Sequence, residues 1–259
     1  MGIFLKVERK EKVAVVTINN PPLNVMNHQV VKELKEVFEE LEHDQSIVSI
    51  ILTGSGDRAF MAGADIKEFP QLIGQQGIKS NFMENHQIFN AIDDCSKPTI
   101  AVLNGITFGG GCELALTCDL RIAEDHIQIG LPEIKLGLFP GGGGTQRLPR
   151  AIGEAKAKEL MFTGDPIDAE RAERIGLVNY VVPKGEGLEK ALQLAVRISR
   201  HSLPALSRIK KAVDEGLNKS LYDGVELEAE LFEEVFQTDD IKEGVQAFIE
   251  KRKPAFTHK

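Results

Sequence analysis

With 259 residues, 42% of them hydrophobic and 27% charged, the chain has room for one large core or two modest domains, and this balance excludes disorder as its main state. A formal net charge of −8 works against nucleic acid and anionic membrane surfaces, while a local basic cluster can still hold a small anionic ligand. No run of 18 apolar residues occurs, and the opening "MGIFLKVERKEKVAVV" lacks the basic-then-apolar order of a secretory signal, so the expected address is the cytoplasm.

In chain order, Val13–Ile18 ("VAVVTI") and 48–53 ("VSIILT") are short β-branched runs that predict strands. Between them Val30, Val31, Leu34, Val37, Phe38 and Leu41 recur at helical spacing, giving strand, helix, strand. The second strand empties into "GSGDRAFMAGAD", a turn-rich loop, and a mostly polar helical stretch leads to Pro98 and the strand "TIAVLNG". Further on, 113–117 predicts a helix start, 120–123 and 127–129 short strands, and 154–162 and 169–175 helices. Alternation of this kind argues for an α/β core with largely parallel strands. Beyond Pro183 the strand signals end, and amphipathic helices are expected at 187–200, 204–215 and 221–236, then a short one at 240–250 capped by Asp239 or Asp240. The expected division is 1–185 for the α/β core and 186–259 for a helical region that covers the core or packs on another subunit.

The densest chemical signal lies in "NGITFGGGCE" at 104–113, where a strand runs into three glycines and a glutamate opens a helix. Phosphate cradling fits poorly, because G-x-x-x-x-G-K-[ST] needs a lysine after its last glycine and a dinucleotide fingerprint needs G-x-G-x-x-G, whereas Cys112 and Glu113 follow here. The run "PGGGGTQR" at 140–147 lacks the lysine as well. Two readings remain open at this point. Gly109, Gly110 and Gly111 allow close backbone packing while Glu113 complements the helix dipole, or backbone amides at the helix start face a carbonyl oxygen that gains negative charge in a reaction.

The oxyanion reading demands a second donor and a second acid or base. "FMAGADIKEF" at 60–69 is another small-residue turn after a strand, which makes the Ala64 amide the candidate donor. "LPEIKLGLFPGGGGTQRL" places Glu133 after a proline among apolar and glycine residues, surroundings that raise a carboxyl's pKa. Other chemistries find less support. Cys95, Cys112 and Cys118 are odd in number and without ligand spacing, so they read as reduced packing thiols. No G-x-S-x-G elbow, H-E-x-x-H pair or calcium loop occurs, and no metal is expected.

Taken together, "AFMAGADIKEF", "KPTIAVLNGITFGGGCELALTCDLRIA", "GLPEIKLGLFPGGGGTQRLPRAIG", "MFTGDPIDAERAERIGLVNYVV" and "DDIKEGVQAFIEKRKPAF" resemble, in order and over nearly the whole chain, the enoyl-CoA hydratase/isomerase (crotonase) family. The resemblance implies an α/β fold, a crotonase-like spiral of ββα units in two stacked sheets with a C-terminal helical trimerisation region, assembled as a trimer or a dimer of trimers. It implies an acyl-CoA thioester as ligand, with coenzyme A entering as part of the substrate and no separate cofactor. Matched position by position, the oxyanion donors are the amides of Ala64 and Gly110, and the catalytic carboxylates are Glu113 and Glu133. Ala62, Asp65, Ile66 and Lys67 fall where the family lines its CoA and acyl channel, and Lys251 matches a basic position able to reach CoA phosphate, in this subunit or a neighbouring one. Phe60, Phe69, Leu131 and Phe139 are candidate linings of the acyl pocket.

One departure stands out. Where many relatives carry a basic residue in an "N-R-P" or "N-R-P-K" loop that meets CoA, this chain has "NNPPLNVMN", so either anchoring leans on backbone contacts and on Lys67, Arg58 or Lys251, or CoA affinity is lower than in those relatives. Two acidic positions imply a hydratase, because the isomerase branch often lacks an acid at the place of Glu113. Isomerases, dehydratases of 3-hydroxyacyl-CoA, decarboxylases and RNA-binding relatives are the alternatives on the same fold. The locally basic "SRIKKAV" and "EKRKPAF" read as solvated helix faces.

Overall fold

The computed structural model describes residues 2–259, the side chain of Asn81 excepted. A six-stranded sheet runs in the order β1 (Leu5–Lys10), β2 (Val13–Ile18), β3 (Ser49–Gly54), β5 (Thr99–Leu103), β7 (Leu120–Glu124), β10 (Tyr180–Val182). β1 and β2 form an antiparallel pair and the remaining pairings are parallel. A second sheet of four short strands is ordered β4 (Ala59–Met61), β6 (Ile106–Phe108), β8 (Gln128–Gly130), β9 (Ile167–Asp168). Each unit sends one strand to each sheet: β3 then β4, β5 then β6, β7 then β8.

The central strands read as unbroken apolar runs because both of their faces are covered. Ala14, Val16, Ile18, Ile50, Leu52, Ala101 and Leu103 face the main core, while Val13, Val15, Ile51, Ile100 and Val102 face the other way. The alternation is the period of two that a strand imposes. On the main-core side lie α1 (His28–His43) and α2 (Lys79–Asp93), with Val30, Val31, Leu34, Phe38 and Leu41 buried at helical spacing. Asn27 caps α1 by accepting from Val30 N at 2.9 Å. At its other end Lys97 Nζ donates to the carbonyls of Leu41 and Asp44, adding a side-chain donor to the C-terminus of the helix.

The opposite face is closed by α7 (Gly187–Ile198), whose Ala191 and Ala195 pack on β2, β3 and β5. This helix follows the boundary expected at 185 yet belongs to the sheet's own core. In chain order α3 (Gly110–Ala115) follows β6, α4 (Gly144–Ile152) and α5 (Glu154–Thr163) follow β8, and α6 (Ala169–Arg174) follows β9. The chain ends in α8 (Leu203–Gly216), α9 (Leu221–Val235) and α10 (Asp239–Ile249). The expected cap of the last helix needs correction: Thr238 takes that role, accepting from Ile241 N, and Asp239 and Asp240 occupy the first turn. Asp240 instead accepts from the amides of Thr257 and His258, tying the C-terminal segment back onto α10. Among the described residues no helix is long and apolar enough to cross a membrane.

Candidate active site

Two turns lie side by side where β4 and β6 end. Buried Asn104, between β5 and β6, holds the first part of this arrangement by accepting from Gly54 N at 3.2 Å and donating to Gly54 O and Gly56 O at 2.8 and 2.6 Å. The chain leaving β3 and the chain leaving β5 are thereby locked together before they deliver the two turns. In the first turn, Met26 N donates to Gly63 O and Asp65 N to Met26 O, both at 2.8 Å, so the bridge between Met26 and Ala64 leaves the Ala64 amide facing away. In the second, Gly110 is the first residue of α3, where an amide has no intrahelical partner. Among the described residues neither amide donates to another group. They are close neighbours: a Cβ built on Gly110 would sit 3.6 Å from Ala64 N, and one on Gly63 would sit 4.0 Å from Gly110 N. The turn depends on glycine at 109, whose φ of 53° and ψ of −124° lie in a region that L side chains avoid.

Glu113 lies in the first turn of α3, buried, and its Oε1 accepts from Gly142 N at 2.7 Å and Gly144 N at 2.8 Å. The second glycine run therefore cradles a carboxylate. Gly142 admits this approach because a Cβ there would meet Glu113 Oε2 at 2.5 Å. Burial raises the Glu113 pKa, opposed by the two amides and by the charge of Arg147. Glu133 sits in the 3₁₀ turn Pro132–Leu136, its Oε1 3.0 Å from where a Gly109 Cβ would lie. Burial, with the nearby Glu113 charge adding to it, pushes its carboxyl up to about 7. Its Oε2 is buried without a hydrogen-bond partner among the described residues, the state expected of a group whose partner is a ligand. Glu133 thus lies against the turn that carries the Gly110 amide and within electrostatic reach of Glu113, so two carboxyl groups with raised pKa values and two unused amides gather in one region, an arrangement suited to proton transfer beside a developing oxyanion.

The remaining sequence candidates scatter around this centre. Ala62 is half-buried and donates to Leu23 O at 3.1 Å, and Asp65 caps the 3₁₀ turn Ile66–Gln71 by accepting from Lys67 N at 3.1 Å. Ile66 and Lys67 are exposed on that turn. Lys251 follows α10 at a φ of 56°, exposed, and no contact among the described residues joins it to the two turns. The pocket linings divide: Phe60 and Leu131 are core residues, while Phe69 is half-buried and Phe139 exposed. Phe60 is drawn inward because it is the middle residue of the three-residue strand β4, buried throughout. The three thiols are buried as expected, and desolvation pushes Cys95 and Cys118 up to about 12.

Sequence reasoning missed several residues. The amides of Gly142 and Gly144 were visible only as a glycine run, because their acceptor lies 29 and 31 positions away. Met26 was invisible; its Cε would lie 3.6 Å from a Cβ on Gly110. The departure loop is closed internally, Asn20 Nδ2 donating to Val25 O at 2.7 Å.

Known proteins resemble the chain along nearly its whole length. The family model described as enoyl-CoA hydratase/isomerase matches residues 8–259. A short-chain-enoyl-CoA hydratase of Clostridium acetobutylicum is 43% identical over 248 residues, covering 95% of each chain. A crotonyl-CoA hydratase of Syntrophomonas wolfei is 41% identical, covering 98% of this chain and 97% of the relative. The crystal structure of an enoyl-CoA hydratase from Bacillus anthracis superposes with a TM-score of 0.94 at 36% identity, over 98% of this chain and 99% of the other. The chain belongs to the enoyl-CoA hydratase/isomerase family.

Proposed function

We propose that the protein is an enoyl-CoA hydratase, a hydro-lyase that adds water reversibly to 2-enoyl-CoA thioesters to give 3-hydroxyacyl-CoA. The observation that carries this reading is the pairing of Glu113 and Glu133, both with raised pKa values, beside the adjacent amides of Ala64 and Gly110. The full-length relatives with hydratase names support it.

In the forward direction Glu113 takes a proton from water as the water oxygen bonds to Cβ. The electron pair of the double bond moves toward the thioester, and the carbonyl oxygen gains negative charge that the Ala64 and Gly110 amides stabilise; one such donor is worth about 10² to 10³ in rate. Glu133, whose carboxyl at about 7 keeps a large protonated share near neutrality, delivers its proton to Cα. Reversal exchanges the roles. Acid, base and oxyanion donors all come from the chain, and coenzyme A enters as part of the substrate. Ala62, Asp65, Ile66 and Lys67 border its path, and Lys67, Arg58 and a Lys251 supplied by a neighbouring subunit are the cations proposed for its phosphates, each exposed in the single chain. A cytoplasmic trimer or dimer of trimers completes the reading.

The test is an ultraviolet assay of purified protein against 2-enoyl-CoAs of about four to sixteen carbons. Loss of the conjugated-thioester absorbance with formation of 3-hydroxyacyl-CoA is the expected outcome. A shifted double bond without water uptake, or no turnover with any chain length, contradicts it.

A further inference from the structure

Arg147 is the charged side chain nearest the Glu113 cradle that the chemistry above does not use. It lies in α4, with its side chain 15% exposed. Its Nε donates to Asp93 Oδ2 at 2.7 Å and its Nη2 to Asn90 Oδ1 at 2.8 Å, so the planar guanidinium spans two residues of α2 that are three apart and therefore neighbours on one helix face. Its own backbone amide donates to Gly143 O at 2.9 Å, and its Nη1 would lie 2.3 Å from a Cβ on Gly143. The guanidinium is thus pressed against the residue that separates the two amides holding Glu113. One turn earlier on α2, the ring of Phe89 backs Gly142, 3.2 Å from where its Cβ would be.

We propose that Arg147 is a positioning residue for the reaction: forked between Asn90 and Asp93, it fixes the Gly142 and Gly144 amides on Glu113 and keeps that carboxylate ionised to accept the water proton. The inference rests on the hydratase reading of the same site. Its physical basis is twofold. A bidentate donor with fixed geometry removes the freedom of a glycine-rich turn that would otherwise drift, and misplacement of a reacting group by about 1 Å can cost about 10² in rate. A permanent positive charge also favours the ionised partner. The charged and titratable groups facing Glu113 are Glu133 from the 3₁₀ turn, Cys112 from its own helix and Arg147 from α4. Asp93, the last residue of α2, and Asp94, its C-cap, act on Arg147 in turn. Glu133 opposes ionisation of Glu113, which leaves Arg147 as the cation favouring it.

The experiment compares wild type with Arg147→Met, Arg147→Lys, Asn90→Ala and Glu113→Gln in crotonyl-CoA hydration across pH, with thermal unfolding recorded for each. Arg147→Met is expected to lose about tenfold to a hundredfold in kcat with KM changed less than about threefold. The acid limb of its kcat/KM profile should move to higher pH by about half a unit or more. Arg147→Lys should restore the limb, since the charge returns, while recovering only part of kcat, since an ammonium cannot fork. A packing role alone would lower the melting temperature and leave the acid limb in place. Wild-type kcat and limb in folded Arg147→Met, while Glu113→Gln is inactive, overturn this inference and leave the hydratase reading intact. Full turnover in Glu113→Gln overturns the reading beneath it. Should Arg147→Met fail to fold, Asn90→Ala and Arg147→Lys decide: a reduced kcat in both supports the clamp, and wild-type kcat in both removes it.

Discussion

The carboxyl of Glu133 is held in a state that stability alone would not select. Its Oε2 is buried and unpartnered, and burial lifts its pKa from an ordinary 4.5 to about 7. Below 4.5 the group is protonated in both folded and unfolded chains. Between 4.5 and about 7 the folded protein binds the extra proton, so the stability that Glu133 contributes falls as pH rises through that window and stays low above it. Glu133→Gln should therefore melt about 2 °C or more above wild type at pH 8, with the gain shrinking to nothing at pH 4.5. An equal gain at both pH values, or none at pH 8, would show that the raised carboxyl is not the source. In the proposed mechanism the same poise that costs stability supplies a proton donor at neutral pH.

At the level of elements, β1 is fastened to α1 by one side chain. Buried Glu33 accepts from the amides of Ile3, Phe4 and Leu5, each at 2.9 Å, and from Gln29 Nε2 at 2.9 Å. Burial works against its charge, but the bonds from Gln29, Phe4, Ile3 and Leu5 outweigh it and hold the carboxyl below its ordinary value. A lowered pKa contributes stability above the unfolded value of 4.5 that is lost as pH falls through the folded one. Glu33→Gln, which turns an amide group toward backbone donors, should cost about 1–3 kcal/mol in urea unfolding at pH 7, with the gap to wild type narrowing below pH 4.5. A constant gap at all pH values would contradict the clamp.

Legibility in the sequence followed the range of the interactions. β2, β3, β5 and α1 are marked by local apolar periods, and the two turns that carry the Ala64 and Gly110 amides by small residues directly after strands. β1, "LKVERK", carried no comparable signal because only Leu5 of it is fully buried. The pairing of Glu113 with Gly142 and Gly144 is non-local, so the second glycine run showed what it lacked for phosphate binding but not what it holds. The cap of α10 went to Thr238 because the neighbouring Asp240 is committed to the tail.

Across the whole molecule, the six-stranded sheet is covered on both faces by its own chain, whereas α8, α9 and α10 leave large apolar side chains in solvent. Ile209 is 63% exposed, Phe232 64% and Phe248 85%. Faces of this kind ask for a partner surface. We expect purified protein to run as a trimer or a multiple of it by light scattering; a monomer at micromolar concentration would contradict that assembly and with it a Lys251 contributed across subunits. Inside the subunit, the two sheets serve one end: each spiral unit brings a turn to the same point, so that Ala64, Gly110, Glu113 and Glu133 meet although 69 positions separate the first from the last.

That convergence is the centre of the account, and crotonyl-CoA hydration by Glu113→Gln and Glu133→Gln, each confirmed to be folded, tests it most directly. Each substitution keeps the shape of the side chain and removes its proton chemistry, and each should lower kcat by about a hundredfold or more. Hydration at the wild-type rate by the Glu113 variant would contradict the assignment of two acids to one reaction.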